Sequence, residues 1–179
     1  MNAWVLLLRG INVGGHHKLP MKSLAAILEN AGCDQVRTYI QSGNVAFRAD
    51  IEMPAAFVDE ISGAIEEEHG FRPAVHLLTA EELKTAVDAN PYPEAVNEPK
   101  TLHVSFLAGS PEAEGIRRAE KLLSATERFT VTGNCFYLHA PDGIARSKFA
   151  ASAHNALGVS ATSRNWNTVT KLVELVASI

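Results

Sequence analysis

Residues 39–47 read Tyr-Ile-Gln-Ser-Gly-Asn-Val-Ala-Phe, and residues 130–137 read Thr-Val-Thr-Gly-Asn-Cys-Phe-Tyr. Each stretch places a hydroxyl residue, a glycine and an asparagine between runs of β-branched and aromatic residues, a pattern typical of a β-hairpin. One hairpin therefore falls in each half of the chain. We expect an internal duplication; the alternative is that both halves use a common type of turn.

The sequence of the first half predicts elements in the order strand, helix, strand, strand, helix, strand. Apolar runs of strand length alternate with segments whose apolar residues recur at helical spacing. Thr79 and Glu82 form a capping-box pattern, which predicts a further helix after the last strand. The predicted elements are strands at 4–9, 36–40, 45–47 and 74–78 and helices at 21–31, 54–69 and 80–89.

Residues 90–99 are rich in proline, which predicts a connector because such a segment cannot continue a helix. We expect a first half at 1–89, this connector at 90–99, and a second half with a C-terminal helix at 100–179. The order of elements then repeats. The predicted elements are strands at 102–107, 129–132, 135–138 and 160–164, a helix started by Ser110 and Pro111, and helices at 147–156 and 168–177.

This order is that of the ferredoxin-like unit, in which the first two strands are parallel and the third lies antiparallel between them. We therefore predict an α+β fold of two tandem ferredoxin-like halves. In such a fold, the loop at 10–18 and the turn at 42–44 leave the same end of the first sheet. Segments 142–148 and 164–167 likewise share one end of the second sheet.

Composition and charge narrow the class of protein. The 179 residues are 46% hydrophobic and carry a formal net charge of −4, which is ordinary for a globular chain and disfavours a dedicated nucleic-acid binder. No segment has the pattern of a signal peptide or membrane span, so we expect a cytoplasmic protein. Cys33 and Cys135 lie far apart, which favours buried free thiols over a disulfide or zinc site.

A glycine-punctuated loop at 9–18, Arg-Gly-Ile-Asn-Val-Gly-Gly-His-His-Lys, follows the first strand. Glycines let backbone N–H groups approach a ligand, and the polar side chains supply donors and positive charge, so the loop is a candidate anion site. The alternative for Asn44 is a turn residue that needs positive φ. The first predicted cluster consists of Arg9, Asn12, Gly14, Gly15, Lys18, Gln41, Ser42 and Asn44.

A second cluster lies where two helices are predicted to begin. Unpaired N–H groups and the helix dipole favour an anion there, and Trp166 offers a flat surface for stacking. The alternatives are that Ser147 and Asn167 are only N-caps and that Trp166 belongs to the core. This cluster consists of Arg146, Ser147, Lys148, Arg164, Asn165, Trp166 and Asn167.

The leading functional hypothesis is that both clusters line one cleft between the halves and bind a phosphate- or carboxylate-bearing small molecule, including a nucleotide. One alternative is a single-stranded nucleic-acid module that stacks bases on Phe47, Phe136 and Tyr137; another is a protein-interaction adaptor. No metal site is predicted, because His16 and His17 lack further ligands at suitable spacing. No catalytic residue or cofactor is nominated, and the question of enzymatic activity stays open.

Five motifs are distinctive: Leu8 to Gly15, Thr38 to Asn44, Asn90 to Pro93, Gly143 to Lys148 and Thr162 to Leu172. Together they resemble a family of uncharacterised bacterial proteins catalogued as domain of unknown function 1697. The resemblance implies a duplicated α+β fold and a bacterial cytoplasmic protein, and it implies no activity, cofactor or catalytic residue. The family often has Lys or Asn where this chain has His16 and His17, which puts a fixed role for these histidines in doubt.

Overall fold

Eight strands form two four-stranded antiparallel sheets in the computed structural model, which describes residues 1–179. The sheet orders are β2-β3-β1-β4 and β6-β7-β5-β8. The fold is therefore mixed α+β. The strands are β1 (Asn2–Arg9), β2 (Asp34–Tyr39), β3 (Asn44–Ala49), β4 (Ala74–Thr79), β5 (Leu102–Leu107), β6 (Arg128–Thr132), β7 (Cys135–His139) and β8 (Ala161–Asn165).

Six α-helices accompany the sheets, and the chain divides into two compact units. Unit 1 contains residues 1–85 and 171–179, and unit 2 contains residues 86–170. The connectivity is β1-α1-β2-β3-α2-β4 in unit 1 and β5-α4-β6-β7-α5-β8 in unit 2. The helices are α1 (Met21–Asn30), α2 (Pro54–His69), α3 (Ala80–Asp88), α4 (Ala113–Glu120), α5 (Lys148–Leu157) and α6 (Trp166–Ala177).

The core of unit 1 lies between its sheet and helices α1 and α2. Alternate residues of β1 point to this core, where Trp4 pairs with Phe47 and Leu6 pairs with Val45 across to β3. Leu24 of α1 and Ile61 of α2 are fully buried against them. Burial of this apolar surface is the main stabilising contribution to the unit.

The core of unit 2 depends on a close approach between α4 and α5. A Cβ atom added at Gly115 would lie 2.6 Å from the carbonyl oxygen of Leu157, so glycine is required at that point of α4. The same core contains Phe136 of β7 and Phe149 of α5, both about 1% exposed. The position of α5 is therefore determined by backbone packing as well as by side chains.

Local sequence signals account for several element boundaries. The capping box is confirmed, since the Thr79 N–H donates to Glu82 Oε2 at 2.8 Å and the Glu82 N–H donates to Thr79 Oγ1 at 3.0 Å. The predicted start of α4 at Ser110 and Pro111 is wrong, because α4 begins at Ala113. The Ser110 hydroxyl donates to Asn134 Oδ1 and caps no helix.

Most other bounds differ from the sequence-based ones by one or two residues, and two of these regions are informative. The connector contains one 3-10 turn, Pro93–Asn97, and α6 begins at Trp166, two residues before the predicted start. Both differences lie where prolines or polar residues allow more than one local conformation. Helix α2 has 16 residues, and none of the helices has the length and apolar character needed to cross a bilayer.

Candidate functional site

Asn12 joins the loop after β1 to the turn after β2. Its Nδ2 donates to the carbonyl oxygens of Leu19 at 2.9 Å and Gln41 at 2.8 Å, and its Oδ1 accepts from the Leu19 N–H at 2.9 Å. The expectation that this loop and turn leave the same end of the sheet is confirmed. The Asn12 amide is used in these internal bonds, so its place in the cluster is that of an organiser of the loop.

The turn at 42–44 packs against the end of β1. A Cβ atom at Gly43 would lie 2.5 Å from Leu8 Cβ, and the φ of Gly43 is +71°. Asn44 is fully buried, and its Nδ2 donates to Tyr39 O at 3.1 Å and to Ser42 Oγ at 2.8 Å. Positive φ falls on Ile40 and Gly43 and not on Asn44, which corrects the alternative considered for that asparagine.

The remaining members of the first cluster are exposed at the surface of unit 1. Arg9, Gly14, Gly15 and Lys18 are all exposed, and both glycines have positive φ. His17 belongs to the structure of the loop, since its Nδ1–H donates to Gly10 O at 3.0 Å and its ring stacks on Phe71 at a centroid distance of 4.6 Å. The sequence did not indicate this role for His17.

In unit 2, Arg146, Ser147 and Lys148 line one cavity of about 290 Å³ at the N-terminus of α5, which we call the α5 cavity. Ser147 is the N-cap residue, and its Oγ accepts from the Ala150 N–H at 2.8 Å. The N-cap alternative for Ser147 is thus confirmed. The other residues that line the cavity are Leu122, Ser124, Glu127, Asp142, Gly143 and Phe149.

The first turn of α5 presents donors that no internal acceptor takes. The N–H groups of Arg146 and Ser147 donate to Gly143 O and Ile144 O, both at 3.1 Å, and the Ala150 N–H is taken by Ser147. The N–H groups of Lys148 and Phe149 precede the intrahelical bonding pattern and have no such acceptor. They lie beside the positive end of the helix dipole.

The charged groups of Arg146 and Lys148 are exposed, and neither makes a hydrogen bond or ion pair with another side chain. Elsewhere in the chain, the guanidinium groups of Arg72, Arg117 and Arg128 bond to glutamate side chains. Other guanidinium groups donate to backbone carbonyl oxygens, namely those of Arg37, Arg48, Arg118 and Arg164.

Two carboxylates, which the sequence-based clusters did not include, line the same cavity. Glu127 is only 7% exposed, and its Oε2 accepts one hydrogen bond, from the Ser124 N–H at 3.3 Å. Asp142 is exposed and accepts a hydrogen bond from Thr126 Oγ1 at 2.7 Å. Neither carboxylate forms an ion pair within 4.0 Å with Arg146 or Lys148, so the cavity separates acidic from basic groups.

The other half of the second cluster does not line the α5 cavity. Strands β7 and β8 both end beside the start of β5, as expected, but β5 lies between them. Burial lowers the pKa of Arg164 to about 10, and this guanidinium donates to Ser163 O at 2.8 Å. Asn165 Oδ1 accepts from the Thr168 N–H, Trp166 is 6% exposed, and Asn167 is exposed.

The burial of Trp166 supports the alternative that this indole is a core residue. The cap of α6 is provided by Asn165 and not by Asn167, at an Oδ1 to N distance of 2.9 Å. The structure therefore brings together Arg146, Ser147 and Lys148 and gives the segment at 164–167 a local structural role.

A polar pair inside unit 2 was also not singled out by the sequence. Ser105 Oγ and His154 Nε2 lie 2.9 Å apart, and Ser105 is only 2% exposed. His103 lies two residues before Ser105 on β5; its Nδ1 has no hydrogen-bond partner, and burial lowers its pKa to about 4. No group of three or more His, Cys, Asp or Glu side chains is placed to hold a metal ion.

These features define an α+β protein with two four-stranded antiparallel sheets and a small polar cavity at a helix N-terminus. The chain belongs to the family described as Protein of unknown function (DUF1697), whose model matches residues 1–137. The resemblance noted from the sequence is thereby confirmed. The α5 cavity includes residues on both sides of the end of that match.

A solved structure is similar over almost the whole length. The conserved bacterial protein SP0830 from Streptococcus pneumoniae has 23% sequence identity to this chain and a TM-score of 0.72, with 98% of each chain covered. At this identity, the likeness establishes a shared fold. No curated protein matches the chain.

Proposed function

We propose that the protein binds a small molecule bearing a phosphate or carboxylate group, and that the α5 cavity is its site. The observation that carries this proposal is the convergence of two unpaired cations, Arg146 and Lys148, with two unbonded N–H groups at the start of α5. A guanidinium group binds an oxyanion through parallel hydrogen bonds, and a helix N-terminus adds backbone donors. A volume of about 290 Å³ suits a small ligand.

The exposed loop of unit 1 is proposed as a second, weaker anion-binding surface. Its donors are Arg9, Lys18 and the backbone of Gly14 and Gly15. The hydrogen bonds of Asn12 hold this loop against the turn that contains Gln41 and Ser42, which preorganises it. We expect weaker binding than in the α5 cavity, because the donors of the loop do not stand at the start of a helix, where the helix dipole adds to the attraction of an anion.

We also propose that the segments from β1 to β4 and from β5 to β8 are ferredoxin-like halves that arose by internal duplication. The support is that both sheets have the same strand order and that both units have the same connectivity. In both units a Gly-Asn pair lies at the hairpin turn, at Gly43 and Gly133. The boundaries at 1–89, 90–99 and 100–179 remain the proposed division into halves and connector.

Burial disfavours the alternative of a nucleic-acid module. Stacking of bases requires aromatic rings on an open sheet face, and Phe47, Phe136 and Tyr137 are at most 1% exposed. The Tyr137 hydroxyl also donates to Ala86 O at 2.6 Å. These rings are core groups, so single-stranded RNA would lack its stacking surface on these strands.

Calorimetric titration with inorganic phosphate tests the proposed site. We compare the wild type with the double variant R146A/K148A and with the matched control R117A/K121A, which removes the same charge from exposed positions on α4 and its end. The expected result is that R146A/K148A weakens phosphate binding at least tenfold while R117A/K121A changes it less than threefold. Equal weakening by both variants, or no saturable binding to the wild type, rejects the proposal.

A further inference from the structure

The α5 cavity has a basic side and an acidic side that do not meet. Arg146 and Lys148 line it together with Glu127 and Asp142, yet no acid is within 4.0 Å of a base. Opposite charges that share a cavity attract each other, and the side chains of Arg and Lys are long enough to span several ångströms. Their separation leaves space between two oppositely charged walls.

Of the two acidic residues, Glu127 has the lower exposure and few hydrogen-bond partners. Glu127 is only 7% exposed as a residue, and one of its carboxylate oxygens accepts a single hydrogen bond of 3.3 Å, while the other has no partner in the protein and is not sealed from solvent. No cation and only one donor of the protein reach this carboxylate, so its open oxygen is available to a group in the cavity.

Asp142 differs in this respect. It is exposed, and a hydroxyl group, that of Thr126, donates to it at 2.7 Å. Water and the hydroxyl group already satisfy this carboxylate, so a ligand gains less from contact with it. The acidic side of the cavity therefore has one principal group, Glu127.

We propose that the ligand of the α5 cavity is zwitterionic: its phosphate or carboxylate lies against Arg146, Lys148 and the start of α5, and its ammonium group pairs with Glu127. This inference rests on the proposed function and names the ligand class of the same site. An ammonium group supplies donors and a positive charge that no protein group supplies to this carboxylate. Amino acids and amine-bearing phosphomonoesters have this combination in a molecule small enough for about 290 Å³.

Two phosphomonoesters of similar size test the inference on the unaltered protein. Phosphoethanolamine carries the amine, and ethyl phosphate lacks it. We measure both dissociation constants by calorimetry at pH 7 and physiological ionic strength. The expected result is at least tenfold tighter binding of phosphoethanolamine by the wild type.

Substitutions at Glu127 locate the effect. Glu127→Gln keeps the shape and an acceptor for the Ser124 N–H, and it should reduce the preference for phosphoethanolamine to less than twofold without weakening ethyl phosphate. Glu127→Asp keeps the charge but withdraws it by one methylene, and an intermediate preference is expected. Asp142→Asn, the matched control, should retain most of the preference. Melting temperatures establish that each variant is folded.

The outcomes separate this inference from the proposed function. Equal affinity of the wild type for the two esters overturns the zwitterion assignment and leaves the anion site standing. Full preference retained in a folded Glu127→Gln or Glu127→Asp variant overturns the pairing with Glu127. Absence of binding for both esters rejects the anion site and the zwitterion assignment together.

Discussion

The side chain of Asn12 donates to the carbonyl oxygen of Gln41 at 2.8 Å and so connects the loop after β1 to the turn after β2. Its φ of 54° lies in the left-handed region, which asparagine tolerates better than most residues. The bond joins positions 29 residues apart in sequence. One side chain thus organises the end of the sheet where the first predicted cluster lies.

Removal of the Asn12 side chain should destabilise unit 1. Asn12→Ala loses three hydrogen bonds to backbone groups and places a less tolerant residue at positive φ. We expect a loss of about 2–4 kcal/mol in the free energy of unfolding, measured by urea denaturation. Asn12→Gly removes the same bonds without the φ strain and should lie between alanine and wild type. Wild-type stability of Asn12→Ala would show that these bonds contribute nothing.

Two hairpin glycines provide a matched pair for a second test. An alanine Cβ at Gly43 would lie 2.5 Å from Leu8 Cβ, whereas at Gly133 no heavy atom lies within 4 Å, and both residues have positive φ. Gly43→Ala should lower the free energy of unfolding by about 3 kcal/mol or more, because steric overlap adds to backbone strain. Gly133→Ala, which has only the backbone strain, should lower it by about 1 kcal/mol. Equal costs would mean that Leu8 moves away freely.

The burial of His103 predicts a pH dependence of stability. Its pKa is about 4 in the folded protein, below the 6.5 of an ordinary histidine, because burial disfavours the charged form. Between these values the unfolded chain binds the proton and the folded chain does not, so stability falls as the pH is lowered from 6.5 to 4. At pH 4.5, His103 therefore lowers the free energy of unfolding by about 2–3 kcal/mol relative to its value at neutral pH.

The variant His103→Gln isolates this contribution. Burial also lowers the pKa of His76, which gives a pH dependence of the same sign, so the informative quantity is the difference between wild type and variant. On going from pH 7.5 to pH 4.5, the wild type should lose about 2–3 kcal/mol more of its free energy of unfolding than His103→Gln does. Urea denaturation at the two pH values measures it, and a constant difference would contradict a buried neutral His103.

The two thiols should differ in reactivity. Cys33 is 4% exposed, and burial, with smaller effects of Glu60 and Asp34, raises its pKa to about 11. Cys135 is half-buried. Because the thiolate is the reactive form, iodoacetamide at pH 8 should label Cys135 in the native protein and Cys33 only after unfolding. In the variant Cys135→Ser, Cys33 is the only remaining thiol, so mass spectrometry measures its labelling alone. Equal labelling of Cys33 in the native and the unfolded variant would refute its burial.

The order of elements could be predicted from sequence because its signals are local. Apolar spacing within a strand or helix, the Thr79–Glu82 box and the glycine at 158 each act over a few residues. The start of α4 was misplaced because Ser110 and Pro111 form a plausible helix start, whereas the serine hydroxyl donates to Asn134, 24 residues away. Local patterns do not reveal such a partner.

The site could be predicted only in part for the same reason. Arg146 and Lys148 were identified from their place before a helix. Glu127 belongs to a local Ser-x-x-Glu pattern that indicates a turn and not a site, and its place in the cavity depends on the packing of the segment after α4 beside the start of α5. Asparagine and tryptophan occur both in ligand sites and in purely structural positions. Burial and long-range hydrogen bonds decide between these two roles for Asn12, Asn44 and Trp166.

The most direct measurement of the proposed anion site is the movement of backbone amide NMR signals as inorganic phosphate is added. The unbonded N–H groups of Lys148 and Phe149 should show large, saturable shifts, and these shifts should disappear in R146A/K148A while persisting in R117A/K121A. Absence of a saturable shift at these two amides in the wild type would contradict anion binding at the start of α5.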